Sequence, residues 1–476
     1  MLQKKYKFLG VDFDFYIVST IFLTFTILYS LLSVVRHNHF QSQANDFSIY
    51  DQAIWLYNRF NFPYSTINNI FDLGDRFRPI IVLLSPLYWF TKNERVILLF
   101  QAVILAAAVF PIWLIARRVL PRILALIIPF LYVSFVGIQS AVAYDFHEMV
   151  ILPVLLSFLF YFLILDKYFN YFVTLVLCLS VREHVGLLLA PLGIYIYFTK
   201  RDLKLAVVTS FLSLLWSVAV ISIIMPALGQ KMYNSFTGDS SGLGQSIINY
   251  VQRPDDLIRN FLLPTEKIST LFWSFFSFGM VPIFYIPLIF TIFSQFSSRF
   301  LDVAHPIRWT IYYHYSVELA VLLSVSTVYT AEIILKKFNA RYTKTVLFLF
   351  LFLCALISNI VLNAPLKNLA KADFWQEKNW MSDTRTILSL IPENASVAGQ
   401  NNLLPHISHR EQLYLLPDVN SADYVVFDLH PGQNNWNFYT QDLEKTKVQM
   451  FQLVTSGNYF ILSSVGDAYI LKRISI

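Results

Sequence analysis

"FYIVSTIFLTFTILYSLLSVV" (residues 15–35) and, shortly after it, "ANDFSIYDQAIW" (residues 44–55) decide the fold. The first stretch carries no charge and has the roughly 20 apolar residues that a membrane-spanning helix needs. The second sets Asp46 and Asp51 just beyond it, and lipid-boundary segments avoid carboxylates unless they need them. The rest of the chain must say which side of the membrane they occupy and what joins them there.

Of the 476 residues, 56% are hydrophobic, 17% aromatic and only 14% charged; soluble domains average about 25% charged. This is the balance of a polytopic membrane protein. The net charge of +6 calls for no nucleic acid, because the basic residues cluster between hydrophobic runs as cytoplasmic loops do. Cys178 and Cys354 each lie inside an apolar run and read as small buried hydrophobes, not as a disulfide or metal pair. "MLQKKYKFLG" resembles the basic start of a signal peptide, but no small-residue cleavage site follows, so the first apolar run is expected to be a true anchor.

Lys4, Lys5 and Lys7 place the N-terminus inside and the first loop, 36–94, outside. Within that loop, "PIIVLLSPLYWF" (79–90) is apolar but short, and reads as a re-entrant or interfacial helix on the outer face. Basic clusters then fix the alternation. A span near 95–117 ends inside at Arg117, Arg118 and Arg122, and 123–140 returns to "YDFHEM" outside. The run 149–165 leads in to Lys167, and 169–181 comes out at "REH" (182–184). A further span reaches Lys200, Arg201 and Lys204 inside, and 205–226 comes out to a polar loop tipped by "TGDSSGLGQS". "LFWSFFSFGMVPIFYIPLIFTIF" reads as two short helices meeting near Met280–Pro282. A span from 310 to 335 leads to Lys336, Lys337, Arg341 and Lys344 inside, and 345–363 delivers the C-terminus outside. The total is about eleven spans by the twenty-residue rule, within a transmembrane domain of residues 1–364.

Residues 365–476 regain proline, asparagine and charge. Short β-rich runs ("ASVAG", "DYVVFDL", "GNYFILSSV", "AYILKR") alternate with helix-like stretches, which predicts a small external α/β domain.

Under this topology the polar groups gather on one side. Asp46, Asp51, Asp75, Asp145, His147, Glu148, Arg182, Glu183 and His184 fall at the outer ends of spans. His314 and Glu318, four apart, are expected on one face of a helix that begins outside. Asp46 stands where an N-cap should, and Asp51 lies about 140° around the helix from it at 100° per residue. Asp145, His147 and Glu148 offer ligands to a divalent cation, magnesium or manganese, although loop carboxylates are more often merely solvated. Arg76, Arg78 and Arg308 suit phosphate, because the guanidinium fork matches its oxygens, and suit lipid headgroups equally. Arg182 and Glu183 can pair with each other.

Several pieces, "DFSIYDQAIW", "LGDRFRPIIVLLSPLYW", "YDFHEM", "REHVGLLLAPLGIY", "YYHYSVELA" and "NNLLPHISHREQLYLLP", together resemble the DUF2079 family of prokaryotic predicted membrane proteins over residues 44 to about 430. "REH" stands where that family often has Lys-Glu-Asp, which leaves Glu183 in register. The layout in turn resembles the GT-C glycosyltransferases: an acidic first outer loop, then "SPLYW", then a span ending in "IARRVL". That resemblance implies a GT-C-like fold and transfer from a polyprenyl-phosphate sugar donor to an acceptor at the outer face. It implies that Asp46 serves the acceptor or a metal, with Asp145 or Glu148 as the second acidic position. Phe47 stands where the superfamily's Asp-Glu pair would have its glutamate.

The favoured reading is therefore a membrane glycosyltransferase of the cell membrane. Asp46, Asp145 and Glu148 are its catalytic candidates, and Asp46, Asp145, His147 and Glu148 its candidate metal ligands. Asp51, Asp75, Arg76, Arg78, Arg182, Glu183, Arg308, His314 and Glu318 are its candidate substrate contacts. The alternatives are a lipid or solute transporter, which calls for broken helices near the midplane in paired halves, and a scaffold that acts through residues 365–476.

Overall fold

The computed structural model describes residues 7–8, 11–230, 248–338 and 342–474. The 237–246 loop tip, Lys4, Lys5 and Arg341 lie outside the described residues.

Among the described residues, five helices are long and apolar enough to cross a membrane: Phe13–Asn38, Arg95–Val119, Leu203–Ala227, Val317–Lys337 and Thr343–Val361. The 123–140 run, read above as one span, is two helices, Arg122–Ser134 and Val136–Val142, bent by 44°. Phe135 is extended at the break. The carbonyl of Ser134 that the break releases accepts hydrogen bonds from the side-chain amides of Gln139 (2.8 Å) and Asn359 (2.9 Å), so no backbone acceptor is stranded in an apolar setting.

The other apolar runs are helices too, but short: Glu148–Ile164, Tyr168–Leu179 and Val185–Lys200. At 1.5 Å per residue they reach roughly 18 to 26 Å, less than a hydrocarbon core of about 30 Å. The described residues thus give five or six full-length spans where about eleven were expected by the twenty-residue rule. Val185–Lys200 packs closely on Leu203–Ala227 because small residues face each other. A Cβ on Gly186 would meet the Ser213 carbonyl oxygen at 2.1 Å, and one on Gly193 the Ser210 hydroxyl at 2.1 Å.

The 79–90 segment is a 3₁₀ helix, Pro79–Trp89. It buries Ile80, Ile81, Leu84 and Tyr88 and exposes Leu83, Trp89 and the following Phe90, the two-sided character of an interfacial element. The break near Met280 is present: Thr265–Phe276 and Ile286–Phe300 flank a left-handed turn at Gly279 and Met280.

The C-terminal residues build a five-stranded mixed sheet in the order Leu413–Leu415, Val397–Gly399, Tyr424–Asp428, Ala468–Arg473, Tyr459–Val465. The first three strands pair in parallel and the last three antiparallel. Helix Asn379–Leu388 covers one face through Met381, Ile387 and Leu388, and Leu443–Thr455 covers the other through Met450. Phe40 and Ala44 of the first loop share the Met381 core. Thr66 and Leu413 exchange hydrogen bonds, with the Leu413 amide donating to the Thr66 hydroxyl at 2.8 Å. The first loop is thereby fixed between the helices and the sheet.

Candidate active site

Asp46 is not an N-cap. It lies inside a turn of π-helix, Ala44–Ser48, that runs into helix Ile49–Asn58, and it makes no capping hydrogen bond. What holds the segment is Asn401 of the C-terminal part. Its carbonyl accepts from the Ala44 amide at 2.6 Å, and its side chain accepts from the Asn45 amide at 3.1 Å. With its backbone fixed, Asp46 points its carboxylate into a cavity of about 250 Å³.

There, one Asp46 oxygen accepts from the Tyr144 hydroxyl at 2.6 Å, and the other lies 3.2 Å from His147 Nε2. Burial alone would raise the carboxyl. The bonds to His147 and Tyr144, with Arg182 nearby, outweigh it and hold Asp46 below the ordinary carboxylate range. His147 stacks on His314 with ring centroids 3.6 Å apart. Burial, together with the charges of His147 and Arg182, keeps the His314 ring well below the ordinary histidine range, and its Nδ1 has no hydrogen-bond partner.

His314 is not on a helix face shared with Glu318. The helix starts at Val317, so His314 sits in the preceding turn, just after the left-handed Tyr313, while Glu318 occupies the first helical turn. Both nevertheless line the cavity.

The cationic wall comes from several elements. Arg76, Arg78, Arg182 and Arg308 line the cavity, and so does Arg299, which the sequence did not single out. Arg299 is buried and donates through Nη1 to the Ser316 hydroxyl at 2.8 Å, but its Nε and Nη2 have no hydrogen-bond partner. Buried donors left unpaired carry a desolvation cost of about 1–3 kcal/mol, more when charged, so this side chain calls for an anion. The signal was available: Arg299 is the single charge in the apolar run 286–300. Arg308 pairs with buried Asp302 at 2.6 Å.

Ion pairs and hydrogen bonds among the other candidates brace this wall. Arg78 is buried, ion-paired to Asp72, 3.9 Å from Glu148 and 3.9 Å over the ring of Tyr50. Glu148 lies 3.2 Å from Arg182. Glu183 accepts from the Phe77 amide at 3.0 Å and lies 3.5 Å from Arg182 and 3.6 Å from His184. Burial would raise its carboxyl, but His184 and Arg182 hold it well below the usual range. Asp75 lines the cavity and accepts from Asn68 at 3.0 Å.

The four candidate metal ligands do not converge on one point. Glu148 is turned to Arg78 and Arg182, and Asp145 accepts from the Gln43 amide at 2.7 Å outside the cavity lining. Burial first, and then the charge of Asp46, push the Asp145 carboxyl up. Asp46 and His147 alone of the four line the cavity. Asp51 stands apart altogether: its side chain is fully buried and accepts from Tyr88 and Ser408.

Residues 36–470 match the family described as "Predicted membrane protein (DUF2079)". The chain belongs to that family. No curated protein matches this DUF2079 sequence. Among solved structures it is similar to the archaeal oligosaccharyltransferase AglB from Archaeoglobus fulgidus in complex with an inhibitory peptide and a dolichol-phosphate. The TM-score there is 0.43 at 13% identity, covering 88% of this chain and 70% of that one. It is likewise similar to the apo form of the Archaeoglobus fulgidus oligosaccharyltransferase, with a TM-score of 0.44 at 12% identity, over 87% and 70% of the two chains.

Proposed function

We propose that this DUF2079 protein is a GT-C-like membrane glycosyltransferase, moving a hexosyl or pentosyl group from a polyprenyl-phosphate donor to an acceptor at the outer face of the cell membrane. One observation carries the reading: an ionised carboxylate, Asp46, and a buried guanidinium with unpaired donors, Arg299, line the same cavity. Glycosyl transfer needs both a group to take the acceptor proton and stabilisation of the phosphate that departs.

In this scheme the acceptor hydroxyl oxygen attacks the anomeric carbon as the bond from that carbon to the phosphate oxygen breaks. The hydroxyl proton passes to Asp46, which His147 and Tyr144 hold in place. Arg299, Arg308 and Arg182 take the negative charge of the leaving polyprenyl phosphate, and neutral His314 adds a hydrogen bond to it. Glu148 and Glu183 orient Arg182. Asp145 supports Asp46 indirectly, through the Gln43 backbone. No step is routed through a metal, because the candidate ligand set does not converge.

The basic loops at 117–122, 200–204 and 336–344 face the cytoplasm in this proposal, and residues 365–476 form an external domain that closes over the first loop. The test is transfer from a panel of polyprenyl-phosphate sugars in membranes carrying the wild type or Asp46→Asn. Turnover by the wild type and its loss in the variant support the proposal. Equal turnover in both would remove Asp46 from the reaction, and the absence of turnover across the panel would bring the transporter reading forward.

A further inference from the structure

A second cluster of chemistry-bearing side chains lies outside the cavity just described. His37 ends the first helix, Glu94 immediately precedes helix Arg95–Val119, and His406 closes a short 3₁₀ turn, Leu404–His406, in the C-terminal part. One ligand atom from each of the three lies within 4.8 Å of the other two. We infer that His37, Glu94 and His406 form a site for a zinc-class divalent ion that clasps the first helix, the end of the first loop and the C-terminal domain.

The donor types suit that ion: two imidazoles and one carboxylate are the ligand set of many open zinc sites, with bonds of about 2.0–2.2 Å. The details suit it as well. His37 is fully buried, and its Nδ1 lies 3.0 Å from the Ser42 hydroxyl while Nε2 lies 3.2 Å from Glu94 Oε1. When Nδ1–H donates to Ser42, a lone pair on Nε2 faces the carboxylate. Two acceptors at that distance can share a cation, and a hydrogen bond fixing the far nitrogen is the usual support for a ligating histidine.

The independent observation is His406. Its Nε2 is buried and has no hydrogen-bond partner, while its ring is held against Phe40 (centroids 4.2 Å apart) and His37 (4.3 Å). Donors around a tetrahedral zinc ion stand roughly 3.3 Å apart, so ion entry draws the three atoms in and turns the two rings away from each other. Glu94 and His406 also border a second cavity, of about 330 Å³, which leaves a route for the ion and room for a water as fourth ligand.

The competing account is a plain His37–Glu94 ion pair, with Arg95 3.8 Å from the same carboxylate. The two accounts differ in what His406 does, so the experiment turns on that residue. Full-length protein, freed of any histidine tag and stripped with a chelator, is titrated with cobalt and then with zinc. The wild type should take up one equivalent of cobalt with the visible bands of a four-coordinate ion, should release it to zinc, and should melt at a higher temperature with zinc than without, since an ion that binds only the folded state stabilises it.

Glu94→Gln and His406→Ala should bind at least tenfold more weakly, and His430→Ala, at a histidine paired with Asp428 and outside the cluster, should match the wild type. His406→Cys guards against misfolding of the alanine variant: it should retain the ion and add a thiolate-to-cobalt band in the near ultraviolet. Wild-type protein that takes up no stoichiometric cobalt, or that binds no better than Glu94→Gln and shows no thiolate band in His406→Cys, would leave an ion pair and overturn the inference. None of these readouts depends on glycosyl transfer, so the site stands or falls separately from the proposed activity.

Discussion

Asp46 and Asp51 belong to one short stretch of chain, yet the fold gives them opposite environments. Asp46 keeps a side chain 21% exposed to a cavity and shares it with histidines and arginines. Asp51 has no exposure, accepts from Tyr88 and Ser408, and pairs with His409 Nε2 at 3.1 Å. A buried carboxylate whose oxygens are all engaged fastens structure and has nothing left for a ligand. A carboxylate with access to a cavity can meet a bound molecule, and its depressed pKa keeps it ionised, although it lowers its basicity. In the proposed reading, this difference gives the chemistry to Asp46 and the docking of the C-terminal part to Asp51.

The sharpest break in that contrast is Asp46→Asn. The amide can still meet Tyr144 and His147, so the fold should hold, but it cannot act as a base. A lost general base costs ~10²–10⁴-fold in rate, and polyprenyl-phosphate transfer by the variant should fall by that factor at unchanged thermal stability. A variant that both slows and melts early would mean that Asp46, like Asp51, is chiefly structural.

Arg299→Gln comes next. Removing one preorganised donor from a developing charge typically costs ~10²–10³-fold in kcat, so turnover of saturating donor should drop by about that much. If instead only KM rises, the guanidinium binds donor and transition state alike and the charge-stabilising role falls.

Much of this was legible in the sequence, for reasons that the two aspartates also illustrate. Apolar runs longer than the bilayer is thick announce themselves, and Asn379–Leu388, Tyr424–Asp428 and the Tyr459–Arg473 hairpin kept their periodicity. The motifs "YDFHEM" and "REH" brought His147 and Arg182 to the cavity, and the loop at 73–79 brought Asp75, Arg76 and Arg78. Burial was not legible. Arg78 has the same neighbours in sequence as Arg76, but Asp72, Glu148 and Tyr50 close around it only in three dimensions. The bend at Phe135 depends on Asn359, more than two hundred residues away, which no local pattern encodes. Asp51 looked like a second site residue because its partners, Ser408 and His409, come from the far end of the chain.

Asp51→Asn should therefore behave inversely to Asp46→Asn. It removes a charge that accepts from Tyr88 and Ser408 and faces His409, leaving buried donors poorly matched at a cost of about 1–3 kcal/mol. Chemical denaturation should show that loss, and limited proteolysis should cut more readily near 400–412, while transfer per folded molecule stays at the wild-type level. Loss of transfer without loss of stability would return Asp51 to the reacting groups.

The smallest effect expected is a pH dependence at the same junction. Burial alone would push the His409 ring down, but Asp51, with Glu94 adding to it and Arg410 opposing, outweighs burial and raises it above the ordinary histidine value. Tyr88 packs edge-on against the ring with centroids 4.6 Å apart, and Trp55 stacks on it at 5.9 Å. A histidine whose folded pKa lies above its unfolded value of about 6.5 contributes stability that is complete below that value. The contribution disappears as pH rises through the folded pKa, because the folded state then loses the proton that made the ion pair. Wild-type protein should therefore exceed His409→Gln in thermal stability most at pH 6, with the gap closing steadily toward alkaline pH. The variant keeps a hydrogen-bond donor for Asp51, so the gap isolates the charge and not the contact. A gap that stays constant across the series would mean that His409 sits at the junction as a neutral ring, held there by Trp55 and Tyr88 alone.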